Sequence, residues 1–254
     1  MALPRLSRLA AVARDLLFPP RCIGCEELLA PAALSPLGES EVLCPLCRTA
    51  WECAVTETSE STAEDAPRGL AYLVYYHSHA SEHGVPEQMI YHLKHRGDPR
   101  VFRFVAARLA HRVQAAARQM PTRAPLDKDA SLLFTYPPRR RSAVRHDGFD
   151  QAERLARYLA VACEGEMVSL VRRTRRGGRE QKQLDARGRA ENAALSDDLR
   201  PHAAERVAGR VVVICDDLRT TGATLLRCAN LLVEAGALGV ILATVAVTAP
   251  RGTQ

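Results

Sequence analysis

The feature that most constrains this chain is a short acidic and hydroxyl-rich stretch inside residues 211–225. Residues 211–214 are apolar and mostly β-branched, so they predict a buried strand. Two adjacent carboxylates, Asp216 and Asp217, follow at the point where this strand is expected to end. A small loop comes next, and residues 225–235 then carry apolar side chains at helical spacing. The stretch therefore predicts a strand, an acidic pair, a loop and a helix in direct succession.

The loop after the acidic pair has the composition of a phosphate site. It consists of Thr220, Thr221, Gly222, Ala223 and Thr224. Backbone N–H groups at the start of a helix suit a phosphate dianion, and a glycine lets the backbone approach it closely. Carboxylates ahead of such a loop can accept hydrogen bonds from ribose hydroxyls. The segment predicts a site for a ribose 5-phosphate unit, and the alternative is an ordinary strand and helix with a threonine N-cap.

Apolar patterning along the rest of the chain predicts an α/β fold. Strands are predicted at residues 70–76, 132–136, 211–214 and 240–247, and helices at 86–94, 100–118, 152–163 and 225–235. Strands that alternate with helices build a parallel sheet with helices on both faces. The 254 residues suffice for one such domain at 70–254 and a small arm at 1–55. Residues 51–68 are rich in Ser, Thr, Glu and Ala, and a linker is predicted at 56–69.

The arm contains two C-x2-C pairs separated by 18 residues, Cys22 with Cys25 and Cys44 with Cys47. Each pair presents two thiolates at one turn, and two pairs complete a tetrahedral sulfur shell that suits Zn²⁺. Disulfides or a redox pair are the alternatives, but disulfides are typical of oxidising compartments and a redox motif needs a single pair at a strand–helix junction. Because the arm has few large apolar residues, a zinc ion is expected to supply most of its folding energy.

The other cysteines and a group of histidines are expected to lie in the core or at the surface rather than at a metal site. Cys53 is predicted to be a free thiol, with a spare zinc ligand as the alternative. Cys163, Cys215 and Cys228 lie in apolar periodic segments and are predicted to be core residues. Three histidines within residues 77–83 predict a solvated turn rather than a second metal site.

Positive charge is concentrated in one part of the sequence. The whole chain has a formal net charge of +6, and residues 139–189 alone hold 14 Lys and Arg against 7 Asp and Glu. A local surplus of this kind favours a bound anion over a general effect on solubility. Residues 170–192 are basic, contain two consecutive glycines and lack an apolar stripe, which predicts a mobile lid over that anion.

The sequence predicts a cytoplasmic protein with no stable membrane insertion. No apolar run approaches the roughly 20 residues that cross a bilayer. Arg5, Arg8 and Arg14 interrupt the apolar residues near the N-terminus, so no secretory signal is predicted. A short amphipathic helix before Pro19 and Pro20 is expected instead, with a weak contact to a membrane surface as the alternative.

Several sequence blocks, in order along essentially the whole chain, resemble the ComF family. These blocks are the cysteine pairs after Phe18-Pro-Pro20, Tyr91-His-Leu-Lys-His-Arg-Gly-Asp98, Arg145-His-Asp-Gly-Phe-Asp-Gln151, Arg173-Thr-Arg-Arg-Gly-Gly-Arg-Glu-Gln181, Arg187-Gly-Arg-Ala-Glu-Asn192 and the segment at 211–225. The resemblance implies a type I phosphoribosyltransferase-like domain behind a zinc ribbon, with phosphoribosyl pyrophosphate (PRPP) as the ligand. It implies that Asp216 and Asp217 contact the ribose hydroxyls and that residues 220–224 bind the 5-phosphate. Members of this family are associated with single-stranded DNA that enters the cell during natural transformation.

Three functions agree with these residues. The first is a PRPP-binding factor that assists single-stranded DNA uptake together with a competence motor or channel protein. The second is an active nucleobase phosphoribosyltransferase, which requires Mg²⁺ with PRPP. The third is a protein–protein adaptor that senses PRPP. We favour the first, because arginines pair with phosphates and stack on unpaired bases. No catalytic residue is predicted, and the candidates for diphosphate or DNA contacts are Lys94, Arg139, Arg140, Arg141 and Arg145.

Overall fold

The computed structural model describes residues 17–30, 41–61, 69–77, 84–120, 132–174 and 196–249. Its helices are α1 (Pro45–Ser61), α2 (Val85–His95), α3 (Pro99–Gln119), α4 (Arg141–Asp147), α5 (Gln151–Ala162), α6 (Ala203–Val207) and α7 (Ala223–Glu234). Its strands are β1 (Leu70–Ala71), β2 (Val74–Tyr76), β3 (Leu133–Thr135), β4 (Glu166–Met167), β5 (Val171–Thr174), β6 (Ser196–Leu199), β7 (Val211–Arg219) and β8 (Gly239–Thr248). None of the helices in these ranges is long and apolar enough to span a bilayer.

The central sheet is parallel, as the alternation of strands and helices predicts. Six of the described strands form it in the order β1-β8-β7-β3-β4, and β2 pairs with β8 beside β1. The strand predicted at 70–76 is therefore two short strands along one edge. β7 pairs with β8 over most of its length and with β3 on its other side, which places β7 at the centre. A separate antiparallel pair is formed by β5 and β6.

Helices cover both faces of the sheet, because successive side chains of β7 point to opposite sides. Val211, Val213 and Cys215 belong to one core cluster, together with the buried faces of α3 and α5. Val212 and Ile214 belong to the other cluster, where residues of α6 and α7 pack. The predicted α/β fold with helices on both faces is confirmed. The burial predicted for Cys215 and Cys228 is confirmed too, whereas Cys163 is only partly buried.

The linker prediction is wrong for residues 56–61, because they continue helix α1. Trp51 of this helix is fully buried and packs edge-on against Phe104 of α3, with 5.9 Å between ring centroids. The Thr58 Oγ1 accepts a hydrogen bond of 3.1 Å from the backbone N–H of Tyr75 in β2. Tertiary contacts of the arm with the α/β domain thus stabilise a helix in a segment of weak apolar periodicity.

Some predictions concern residues that lie outside the described part of the chain. They are the amphipathic helix before Pro19, the histidine-containing turn beyond His77, and the lid, apart from its first residues up to Thr174.

Candidate functional site

A cavity of about 430 Å³ opens at the carboxyl edge of the central sheet. β3 and β7 are parallel neighbours, so the residues that follow their paired segments meet at this edge. β7 contributes its acidic pair, and the chain after β3 contributes two prolines and two arginines. The lining residues are Lys94, His95, Pro137, Pro138, Arg139, Arg140, Ala143, Asp147, Gln151, Ala152, Arg173, Asp216, Asp217 and Thr224.

The acidic pair lies within β7 and not after it, which corrects the predicted strand end. β7 continues to Arg219 because it remains paired with β8, with Asp216 opposite Thr244 and Leu218 opposite Ala246. The backbone that carries both carboxylates is therefore fixed by the sheet. Side chains alternate along a strand, so the two acids leave the backbone in different directions.

The two carboxylates are only weakly compensated by neighbouring charges. The Asp217 side chain is 7% exposed, and its Oδ2 lies 3.7 Å from Lys94 Nζ. That oxygen accepts no hydrogen bond from the described residues. Burial raises the pKa of Asp216 well above its ordinary value, and the adjacent charge of Asp217 raises it further. The site is thus organised to receive hydrogen-bond donors or positive charge.

The loop after β7 turns sharply into α7 at Gly222. This residue has a φ of +74°, a left-handed conformation that strains other residues. A Cβ at this position would lie 2.6 Å from Arg219 Nε, so a larger residue would also displace the arginine side chain. Thr220, Thr221 and Ala223 are exposed, and Thr224 in the first turn of α7 lines the cavity. The helix N-terminus therefore lies beside the acidic pair, in an arrangement that suits a sugar with a phosphate group.

The opposite wall is basic and is held by its own ion pairs. Arg139 Nη2 donates a 2.8 Å hydrogen bond to Asp147 Oδ2, and its Nη1 donates to the side-chain oxygen of Gln151. The hydrogen bond from Arg139 also lowers the pKa of Asp147. Arg140 and Lys94 also line this wall, and both are among the residues that the sequence predicts as diphosphate or DNA contacts. Arg141 and Arg145 are exposed on α4 and do not line the cavity.

A buried turn fixes the end of α2, which carries Lys94. Gly97 has a φ of +62°, and a Cβ there would lie 3.0 Å from the Phe149 ring. The Gly97 carbonyl accepts a 2.6 Å hydrogen bond from Arg154 Nη1 of α5, and the Arg154 guanidinium lies over the Phe149 ring. Asp98 then caps α3 by accepting from the Arg100 N–H. The blocks at 91–98 and 145–151 are therefore joined in space, and together they position the basic wall.

Comparison with known proteins agrees with this geometry. The sequence pattern of the phosphoribosyl transferase domain matches residues 143–254. The chain therefore has a type I phosphoribosyltransferase-like α/β fold, preceded by the cysteine-containing arm. The matched range includes the acidic pair and the loop into α7, whereas Lys94, Arg139 and Arg140 precede it. No curated protein sequence is significantly similar to the chain.

Three solved structures have low overall similarity to this chain in identity, coverage and TM-score. The allosteric regulatory enzyme of purine biosynthesis is 18% identical over 61% of this chain and 30% of its own, with a TM-score of 0.36. The glutamine PRPP amidotransferase of B. subtilis is 18% identical over 60% of this chain and 30% of its own, with a TM-score of 0.35. A hypoxanthine phosphoribosyltransferase of Staphylococcus aureus is 12% identical over 57% and 62%, with a TM-score of 0.32. This chain thus spans about a third of the first two relatives.

Several polar residues of the cavity were not predicted from the sequence, namely His95, Asp147, Gln151 and Arg173. His95 follows Lys94 directly on α2, and the other three lie in or beside the blocks that resemble the ComF family. Their proximity to the predicted phosphate site could have been inferred for this reason. Tertiary packing decides which of their side chains face the cavity, and the spacing of apolar residues along the sequence does not show this.

The four cysteines of the arm form a second candidate site. Their sulfur atoms all lie within 4.8 Å of one another, and Cys25 Sγ is 3.6 Å from Cys44 Sγ. Tetrahedral bonds of about 2.3 Å to a central zinc ion place sulfur atoms about 3.8 Å apart, whereas a disulfide needs about 2.05 Å. Burial raises the pKa of Cys22, but backbone N–H donors, Cys44 and Gly24 among them, outweigh this effect and lower it to about 7. Burial and the neighbouring cysteines raise the pKa of Cys47, so the full set of four thiolates is expected only when a cation binds between them.

Proposed function

We propose that the protein binds PRPP in the cavity at the carboxyl edge of its sheet. Asp216 and Asp217 accept hydrogen bonds from the ribose hydroxyls, and residues 220–224 surround the 5-phosphate. Lys94, Arg139 and Arg140 attract the diphosphate. The observation that carries this proposal is the convergence of a buried acidic pair, a helix N-terminus and a basic wall on one cavity. The phosphoribosyl transferase domain matched at 143–254 supports it.

The charges of the site complement those of this ligand. A carboxylate accepts hydrogen bonds only, so a pair of carboxylates selects hydroxyl donors over phosphate oxygens. The start of α7 and the arginines favour anions, so the two phosphate-bearing ends of the sugar lie away from the acids. In this proposal Lys94 neutralises Asp217 in the free protein and is available for the diphosphate in the complex. Mg²⁺ enters with PRPP and neutralises part of the diphosphate charge.

Isothermal titration calorimetry with PRPP and Mg²⁺ tests the proposed site. The double variant Asp216→Asn with Asp217→Asn should lose at least about a hundredfold in affinity, because hydrogen bonds to charged groups contribute about 1.5–3 kcal/mol each. Its circular dichroism spectrum should be unchanged, since asparagine has the size of aspartate and the β7 backbone stays paired with its neighbouring strands. Arg157→Gln is the matched control, because Arg157 is an exposed residue of α5 that forms an ion pair with Glu153, and it does not line the cavity. Retained affinity in the double variant would contradict the proposal.

We propose further that the four cysteines bind one Zn²⁺ ion with a structural role. Thiolates at this spacing form the sulfur shell that zinc prefers, and the described part of the chain provides no disulfide at these positions. When bound, the ion joins the two C-x2-C turns, which already share a hydrogen bond between Ile23 N–H and the Val42 carbonyl. The arm is then a zinc ribbon, in agreement with the resemblance to the ComF family.

We also propose that the protein acts in the cytoplasm on single-stranded DNA, as a ComF-type factor in natural transformation. The resemblance supports this role. Arg140, Arg141 and Arg145 support it as well, because Arg140 lines the cavity and all three are exposed in or directly before α4. Arginines at such a surface track a nucleic-acid backbone without sequence preference. The zinc ribbon would contact the competence motor or channel protein.

Fluorescence anisotropy with a labelled oligonucleotide tests the DNA-binding role. Replacement of Arg140, Arg141 and Arg145 by alanine should weaken binding and reduce the slope of log K against log salt by about 2, since each lost phosphate contact contributes about 0.7 for single strands. Arg157→Gln should leave the slope unchanged. Unaltered DNA binding in the triple variant would contradict this assignment. Release of pyrophosphate from PRPP with a free nucleobase would support the transferase function instead, and a wild-type protein without DNA affinity would support the adaptor.

A further inference from the structure

A buried acidic residue outside the central sheet holds an arginine of α7. Asp197 lies on β6 with its side chain only 2% exposed, and its Oδ2 is 3.5 Å from Arg227 Nε. Among the described residues neither of these two atoms has a hydrogen-bond partner, so the ion pair is their compensation. A buried carboxylate is costly unless it is paired, and such pairing fixes the position of its partner. Asp197 therefore restricts the Arg227 guanidinium to one side of α7.

Arg227 in turn contacts a residue of the phosphate loop. Its Nη2 donates a hydrogen bond of 3.3 Å to Thr224 Oγ1, and Thr224 lines the cavity. A threonine hydroxyl is both acceptor and donor. When Arg227 occupies the acceptor side, the O–H of Thr224 remains available for donation. Phosphate oxygens accept hydrogen bonds, so this contact presents Thr224 in the role that a phosphate requires.

The same small sheet reaches the cavity at a second point. Asp197 of β6 is paired in register with Arg173 of β5, and Arg173 lines the cavity. The β5–β6 pair therefore supplies one residue to the cavity and one residue to the support of α7. Arg227 also adds a permanent positive charge one helical turn from the loop, at the same helix end that favours anions.

We infer that Asp197 and Arg227 are positioning residues for the 5-phosphate end of the ligand. Asp197 fixes Arg227, and Arg227 orients the Thr224 hydroxyl and contributes positive charge. Neither residue belongs to the acidic pair or to the loop at 220–224. The inference rests on the proposed PRPP site and specifies how this chain completes it.

Calorimetry with three probes separates positioning from general stability. PRPP and ribose 5-phosphate both present a 5-phosphate, whereas inorganic pyrophosphate with Mg²⁺ occupies only the diphosphate end. Arg227→Gln and Asp197→Asn should each weaken PRPP and ribose 5-phosphate about tenfold, the effect expected for one charged hydrogen bond. Pyrophosphate affinity should change less than about twofold. Arg157→Gln, an arginine substitution on the exposed face of α5, is the control.

The double variant provides an independent test, because residues that act in series are not additive. Asp197→Asn combined with Arg227→Gln should bind PRPP no more weakly than Arg227→Gln alone. Additive losses, an equal loss for all three probes, or unchanged affinity would each overturn the inference. Asp197→Asn keeps the size of the side chain and serves alone if Arg227→Gln does not fold.

A wild-type protein that fails to bind PRPP would overturn the proposed function itself. A wild-type protein that binds PRPP, with variants that bind it equally well, would overturn only this inference.

Discussion

At the scale of single residues, the site is held in a state that opposes stability. Asp216 and Asp217 are adjacent carboxyl groups in a poorly solvated position, and Lys94 Nζ lies 3.7 Å from Asp217 Oδ2. The pKa of Asp216 is raised above its ordinary value of 3.8 by burial and by Asp217, and Lys94 offsets this only in part. The neutral amide of asparagine would avoid this repulsion. Folding stability therefore does not explain the two carboxylates, whereas the proposed binding of PRPP does.

Asp216→Asn should consequently stabilise the free protein while it weakens PRPP binding. The folded wild type retains a proton that the unfolded chain releases, so its stability falls as pH rises from 3.8 towards the raised pKa. Asparagine does not titrate, so the stability gain of the variant over wild type should grow over the same interval. Urea denaturation at a series of pH values measures it. Asp198→Asn is the control of opposite sign, because Arg172 lowers the pKa of Asp198. A variant that is less stable than wild type at pH 7 would refute the argument.

At the scale of elements, strong local signals were predictable and tertiary support was not. Helices α2 and α3 were expected from their apolar spacing, and each has a proline in its first turn; Asp98 also caps α3. α1 was not predicted, and its second half was assigned to a linker because of its Ser, Thr and Glu residues. Its buried Trp51 and the Thr58 contact to β2 are visible only in three dimensions. The length of β7 was underestimated for the same reason, since its pairing with β8 extends the strand past two acids.

The cavity walls illustrate the same limit for functional residues. The acidic pair and the loop could be located from sequence, because both depend on a contiguous strand, turn and helix. The arginine run could not be resolved into separate roles. Arg139 precedes α4 and is tied to Asp147 and Gln151, whereas Arg141 and Arg145 lie on the exposed surface of α4. The contact between Arg227 and Asp197 joins elements distant in sequence, so no local pattern reveals it.

At the scale of the whole molecule, the arm and the α/β domain share one hydrophobic core. Cys22, Cys44 and Trp51 belong to the same cluster as the buried faces of α2 and α3. A Cβ on Gly24 would lie 2.8 Å from Cys47 Sγ and 3.2 Å from Val85, the first residue of α2. Lys94 lies near the other end of this helix, which is about 16 Å long. The cysteine cluster and the cavity are therefore the two ends of one packed unit.

Removal of the metal should for this reason affect more than the arm. Cys22→Ser should release zinc, lower the melting temperature of the entire protein and weaken PRPP binding through the displacement of α2 and Lys94. Atomic absorption, differential scanning calorimetry and titration with PRPP measure these three effects. Cys53→Ser is the control, since Cys53 is an exposed cysteine of α1 outside the cluster. If the variant lost zinc but kept the melting temperature and PRPP affinity of the wild type, the arm would fold as an independent unit. A structural zinc ion stabilises only the elements whose folding depends on it. Such a result would therefore mean that the hydrophobic core shared by the arm and the α/β domain does not support the cavity.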